Sequence, residues 1–154
     1  MQIADLLTPR TVIPQLRVTG KKQALQEIAR RAATVTGCGE RPIYDVLAER
    51  ERLGSTGIGR GVAVPHGKLP ELSRIHGIFA RLERPIPFEA IDDQPVDLLF
   101  VLLAPIDARS EHLTALAMVS RLLRDRAVCE KLRGTDKADA LYALLTDRTE
   151  SHAA

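Results

Sequence analysis

Residues 96–104, VDLLFVLLA, are apolar at every position except Asp97. A run this short and continuous predicts a strand buried on both faces and central in its sheet. Residues 75–82 repeat the pattern more weakly and predict a second buried strand. Residues 11–18 alternate loosely and are rich in β-branched side chains. They predict a first strand, with Pro14 marking an edge or a bulge. A short strand is expected at 61–64. Pro85 and Pro87 are expected to break the chain.

Elsewhere the apolar positions recur at helical spacing. A short helical lead-in, IADLL, ends near Pro9. Thr19 is placed to cap a helix over 20–36, with Leu25, Ile28, Ala29 and Ala32 on its apolar stripe. A second helix begins near Arg41, with Pro42 in its first turn. Its stripe is Ile43, Val46 and Leu47, its end is charged (49–52), and Gly54 stops it. Ser110 is expected to cap a long helix to about Arg124, with Leu113, Leu116, Val119 and Leu123 inward. A helix over 126–133 ends at Gly134. A last helix begins at Thr135 or Asp136 and carries Ala138, Leu141, Leu144 and Leu145. Interleaved strands and helices predict an α/β sheet covered by helices on both faces. Residues 1–150 read as one domain, with a frayed tail at 151–154.

Composition adds exclusions. The chain of 154 residues has 22 basic and 20 acidic side chains, interspersed, and no Trp. It lacks the basic stripe and stacking aromatics of a nucleic-acid binder. No basic head precedes an apolar run at the N-terminus, and the longest apolar run is far shorter than the ~20 residues of a membrane span. A cytoplasmic protein, not embedded in a membrane, is the expectation. Cys38 and Cys129 are far apart and read as reduced thiols. Four scattered histidines give no metal-ligand spacing.

The candidate chemistry sits in residues 53–68, LGSTGIGRGVAVPHGK. A Walker loop needs Lys and Ser or Thr after its last glycine, where this chain has Arg60 and Gly61. A dinucleotide fingerprint needs its glycines directly after a strand, and here a helix precedes them. The glycines therefore read as a tight connection. His66 follows the apolar strand at the end where open sheets bind ligands. Pro65 stiffens the approach, and Gly67 is expected to leave space on the far side. A neutral imidazole offers a lone pair near neutral pH and can attack phosphorus without a base, provided its other nitrogen donates to an acceptor.

An arriving phosphoryl group needs donors. Arg50 and Arg52 end the preceding helix, Ser55 and Thr56 offer hydroxyls, and the Gly67 N–H lies beside His66. His112 falls in the first turn of the helix after Ser110, where an anion is favoured; a solvent-facing or capping histidine is the alternative. His76 reads as a structural histidine. Asp92, Asp93, Asp107 and Glu111 are candidates for steering a basic partner.

Three blocks in order, GSTGIGRGVAVPHGK, IDDQPVDLLFVLLAP and SEHLTAL, resemble the enzyme IIA proteins of the bacterial phosphotransferase system. The class is the fructose/mannitol one, and the likeness is to its nitrogen-regulatory branch. It spans residues 3–147. The resemblance implies a mixed, roughly five-stranded sheet between helices, no cofactor, and a transient phosphohistidine. The phosphate originates in phosphoenolpyruvate and arrives through enzyme I and an HPr-like phosphocarrier. By position, the resemblance puts the phosphoryl group on Nε2 of His66, the second active-site histidine at His112 and the active-site arginine at Arg50. It implies regulatory targets such as potassium transporters or sensor kinases, bound according to phosphorylation state. Two other readings stay open. One is a sugar-specific IIA that passes phosphate to a IIB domain. The other is a binding module that transfers nothing.

Overall fold

The computed structural model describes residues 1–147. Two short 3-10 turns, Ile3–Asp5 and Pro9–Thr11, lead into β1 (Val12–Leu16). Helices α1 (Lys21–Thr36) and α2 (Glu40–Arg52) follow. Then come β2 (Gly57–Gly59), β3 (Val62–Ala63), β4 (His66–Leu69), β5 (His76–Ile86) and β6 (Val96–Pro105). Helices α3 (Arg109–Arg124), α4 (Arg126–Arg133) and α5 (Ala138–Thr146) end the described chain. The tail expected to fray lies outside the described residues.

The sheet runs in the order β1-β5-β6-β3-β2, and β4 continues the lane of β3 along β6. It is mixed: β1/β5, β3/β6 and β4/β6 are parallel, while β5/β6 and β2/β3 are antiparallel. The strand 96–104 is central, as its composition predicts, because neighbours on both sides satisfy its backbone. Successive side chains of β6 divide between two cores. Leu99, Val101 and Leu103 pack with α1 and α2. Leu98, Phe100 and Leu102 pack with α3, α4 and α5. Asp97, the polar interruption, is held by Arg133, whose Nε donates to its two carboxylate oxygens at 3.0 and 2.9 Å.

Several boundaries differ from the sequence reading, each for a local reason. The segment read as a glycine connection contains β2. It pairs with β3 through a two-residue turn in which Arg60 (φ 58) and Gly61 (φ 81) both take positive φ, the geometry that matches hairpin twist. Pro85 does not end β5. The pairing shifts register between Arg81 and Ile86, which spares the ladder a missing donor. Gly20 occupies the N-cap of α1, and Thr19 instead donates its backbone N–H to Gln23 Oε1 at 2.9 Å. Helix α3 starts at Arg109, one residue before the expected cap. The inward stripe of α3 is His112, Ala115, Val119 and Leu123, and Leu113 is 67% exposed. The last helix begins at Ala138, later than expected.

Gly57 is where loop and sheet meet most closely. A Cβ there would stand 2.6 Å from Ala90 Cβ and 2.9 Å from Ala90 Cα. Backbone is involved, so no rotamer change relieves the clash. Gly57→Ala is expected to destabilise the protein by about 1–3 kcal/mol, the usual cost of overpacking. Urea denaturation checks this: the midpoint should fall with an unchanged slope, and an unchanged midpoint would refute it.

Candidate functional site

The chain does not end a strand at His66. It steps at Val64–Pro65 and resumes pairing with β6 as β4, with His66 opposite Leu102. This step aims the imidazole back along its own chain. Nδ1 of His66 lies 2.9 Å from the Val64 carbonyl. A carbonyl only accepts, so Nδ1 carries the proton. Nε2 is left with its lone pair, and Arg50 Nε donates to it at 3.2 Å. Arg50 reaches His66 from the last turn of α2, and its Nη1 also donates to the Gly54 carbonyl at 2.7 Å. That second bond fixes the guanidinium against the loop that follows its helix.

His112 approaches from the other helical layer. Its ring centroid is 5.4 Å from that of His66, with the planes tilted by 55°. It is not a capping or solvent-facing residue: it is buried, one turn into α3, and its N–H donates to the Ala108 carbonyl at 3.1 Å. Its Nδ1 is buried without a hydrogen-bond partner among the described residues. A buried imidazole nitrogen left unpaired costs free energy unless a ligand meets it.

Not every expected donor joins this cluster. Ser55 Oγ donates to the Phe88 carbonyl at 2.9 Å and accepts from the Gly57 N–H at 3.0 Å. Thr56 is buried, and its hydroxyl donates to Glu51. Both hydroxyls are committed inside the protein. Arg52 turns away to pair with Glu49 on the helix surface, with Nε 2.9 Å from Oε2. Gly67 opens no space: a Cβ there would lie 2.8 Å from Val46 Cγ2, so the glycine lets α2 pack onto β4. Asp92 accepts from the N–H groups of Arg60 at 2.9 Å and Gln94 at 3.1 Å. It therefore belongs to the hairpin turn rather than to the end of the sheet that carries His112. His76 opens β5, and burial lowers its pKa, helped by Arg74.

Sequence reasoning passed over Glu51, which it placed in the charged end of α2. The side chain is 4% exposed. Its spacing carried the signal, since Ile43, Leu47 and Glu51 continue one helical stripe at steps of four.

The electrostatics keep both rings neutral. Burial lowers the His66 pKa below 6.5, the Val64 carbonyl opposes this, the Arg50 charge reinforces it, and Glu51 opposes it weakly. Burial is the main cause that drives His112 down to about 4, with His66 and Lys68 adding to it. Neutral His66 with Nδ1 protonated presents a nucleophilic Nε2. Among the described residues, no group of three or more His, Cys, Asp or Glu could hold a metal ion.

A pH titration followed by histidine NMR is expected to find His66 titrating below 6.5 and His112 near 4. The unfolded chain takes up these protons first as pH falls. Stability is therefore full above about 6.5 and is lost toward about 4, the folded value of His112. Ring shifts that move at the free-histidine pH would contradict the burial argument.

Comparison with known proteins identifies the family. Residues 5–148 match the family described as "Phosphoenolpyruvate-dependent sugar phosphotransferase system, EIIA 2". A nitrogen regulatory protein of Bradyrhizobium diazoefficiens is 55% identical over 145 residues, covering 94% of this chain and 95% of that one. The crystal structure of nitrogen regulatory protein IIA-Ntr from Neisseria meningitidis superposes with a TM-score of 0.89 at 32% identity, covering 94% of this chain and 99% of that one. IIA mannitol from Escherichia coli shares the fold, with a TM-score of 0.77 at 21% identity over 90% of this chain and 98% of that one. The chain belongs to the EIIA type-2 family of the phosphoenolpyruvate-dependent phosphotransferase system.

Proposed function

We propose that this chain is a phosphohistidine carrier of the nitrogen-regulatory branch, accepting a phosphoryl group from an HPr-like phosphocarrier onto Nε2 of His66. The observation that carries the reading is the pairing of Nδ1 with the Val64 carbonyl, which leaves the Nε2 lone pair outward beside Arg50. In the transfer, that lone pair forms the new N–P bond as the P–N bond to the donor's histidine breaks. The bonding pair returns to the donor nitrogen. The proton stays on Nδ1, donated to the Val64 carbonyl. Arg50 gives up the lone pair and turns its N–H groups to the phosphoryl oxygens. The His112 ring, its centroid 5.4 Å from that of His66, stands next to the same position and would meet a phosphoryl oxygen.

The nitrogen-regulatory assignment is supported by the relatives that bear that name over almost the full chain. Regulation follows from charge. A phosphoryl group adds close to two negative charges and three acceptor oxygens at a site that was neutral, and partners that read this surface would respond. Targets of the potassium-transporter or sensor-kinase kind fit this mode.

The assay that tests the reading combines the protein with phosphoenolpyruvate, enzyme I and the phosphocarrier. Wild type is expected to take up acid-labile phosphate and His66→Ala none. Arg50→Gln and His112→Asn are expected to slow uptake by about 10²–10³-fold, the effect of losing one transition-state donor. Label that persists on His66→Ala would refute the site. Onward transfer to an added IIB domain would favour the sugar-specific reading over the regulatory one.

The rim beside His112 should receive the carrier. Ile106 and Leu113 are exposed there, with Asp107 and Glu111 between them in sequence. Asp107→Lys and Glu111→Lys are expected to slow phosphorylation at low salt, with the difference shrinking as salt is added. Rates equal to wild type at low ionic strength would reject this docking face.

A further inference from the structure

Among the described residues, Glu51 is the only buried carboxylate. Removing a carboxylate from water is costly unless donors replace the solvent. Three do so. Lys21 Nζ of α1 lies 3.0 Å from Oε1. The Thr56 N–H points to both carboxylate oxygens, at 3.3 and 3.1 Å. The Thr56 hydroxyl donates to Oε2. Lys21 is itself held over the Phe88 ring, 4.7 Å from its centroid.

These contacts do not end at Thr56. Its carbonyl accepts the Val64 N–H at 3.0 Å. The Val64 carbonyl accepts the Nδ1 proton of His66 at 2.9 Å. Arg50, the neighbour of Glu51 in sequence, closes the circuit through Gly54 and back to Nε2 of His66. Hydrogen bonds alternate with short covalent steps along the backbone, so the ring of His66 is tied to Glu51 along two routes.

The chemistry gives this circuit a task. A free neutral imidazole prefers its proton on Nε2, the nitrogen that here must be bare. Holding the proton on Nδ1 requires an acceptor fixed in place. The acceptor is the carbonyl of a residue in the step between β3 and β4, where the sheet ladder is interrupted. Two bonds flank that carbonyl: the Val64 N–H donates to Thr56 in the segment that Glu51 anchors, and the Pro65 carbonyl accepts the Leu102 N–H of β6 at 3.0 Å.

We infer that Glu51 is a positioning residue, which fixes His66 through Thr56 and Val64 with the Nδ1 proton inward and the Nε2 lone pair outward. Its kinetic consequence rests on the phosphoryl-transfer reading; its effect on the ring does not. Glu51→Gln keeps the shape but turns an amide donor toward a site already full of donors. Thr56→Val keeps its N–H bond to Glu51 and loses the hydroxyl. Thr56→Ser keeps both and is the conservative control.

The experiment measures the ring-nitrogen shifts of ¹⁵N-histidine-labelled protein at a pH where His66 is neutral, alongside the phosphorylation rate. Wild type and Thr56→Ser should give a protonated Nδ1 and a bare Nε2. In Glu51→Gln the two nitrogens of His66 should shift toward each other as the tautomers mix. Its transfer rate should fall on the order of tenfold to a hundredfold, the scale of a small misplacement at a reacting group. Thr56→Val should move both readouts in the same direction, and it decides the question if Glu51→Gln does not fold. A folded Glu51→Gln or Thr56→Val with wild-type nitrogen shifts and an unchanged rate would overturn the inference. A wild type that accepts no phosphate would defeat the carrier reading instead, and the tautomer comparison would still decide the role of Glu51.

Discussion

The hydrogen bond from Nδ1 of His66 to the carbonyl of Val64 spans only two residues, with Pro65 between them. It works because the chain steps sideways there and then resumes pairing. Proline fixes φ and supplies no N–H, so the step leaves no orphaned donor at Pro65. On either side, β3 and β4 are both registered against β6. The rigidity of the central strand thus reaches the imidazole through a few covalent bonds. That strand is rigid for an ordinary reason: its alternating side chains are packed in two cores. The two helical layers then deliver their own residues to the same place, Arg50 from α2 and His112 from α3.

The charge at this place is unusual for a site proposed to take a phosphoryl group. A half-buried and a buried imidazole lie close together, and both are pushed toward neutrality. Arg50 is the cation that touches His66. A site built this way does not hold a phosphate ion by accumulated charge. It offers a nucleophile whose protonation would be costly. Once a phosphoryl group is bound, its negative charge reverses the balance and favours protonation of the neighbouring ring. On the proposed mechanism, the desolvation that keeps His66 neutral before transfer would also strengthen its contacts with the group afterwards.

Much of this was legible in the sequence, and the rest was hidden for physical reasons. The apolar run containing Asp97 marked the central strand because burial on both faces leaves no room for alternation. Its one polar residue looked like noise until Arg133 supplied the partner from α4, which no local pattern connects to it. The Pro-His-Gly block marked His66 as the candidate, but the strand end expected there is instead a step after which the chain resumes pairing. The glycines misled. Gly61 serves a hairpin turn, while Gly57 and Gly67 admit Ala90 and Val46, and only tertiary contact reveals which glycine does which. The first half of the inward stripe of α3 was set one residue off, while Val119 and Leu123 face inward as expected, because a helix rich in leucine offers two plausible apolar faces. Burial chose the face that carries His112 and left Leu113 outside. Glu51 was missed because a carboxylate among other charges at a helix end looks solvated. Its step of four from Leu47 was the only hint.

The central claim is that the protein presents Nε2 of His66, and no other nitrogen, to an incoming phosphoryl group. The direct test is one-bond ³¹P–¹⁵N coupling in ¹⁵N-histidine-labelled protein after phosphorylation by the carrier. The account predicts a single coupled nitrogen, Nε2 of His66, with the proton retained on Nδ1. Coupling at Nδ1 of His66, or at either nitrogen of His112, would contradict it.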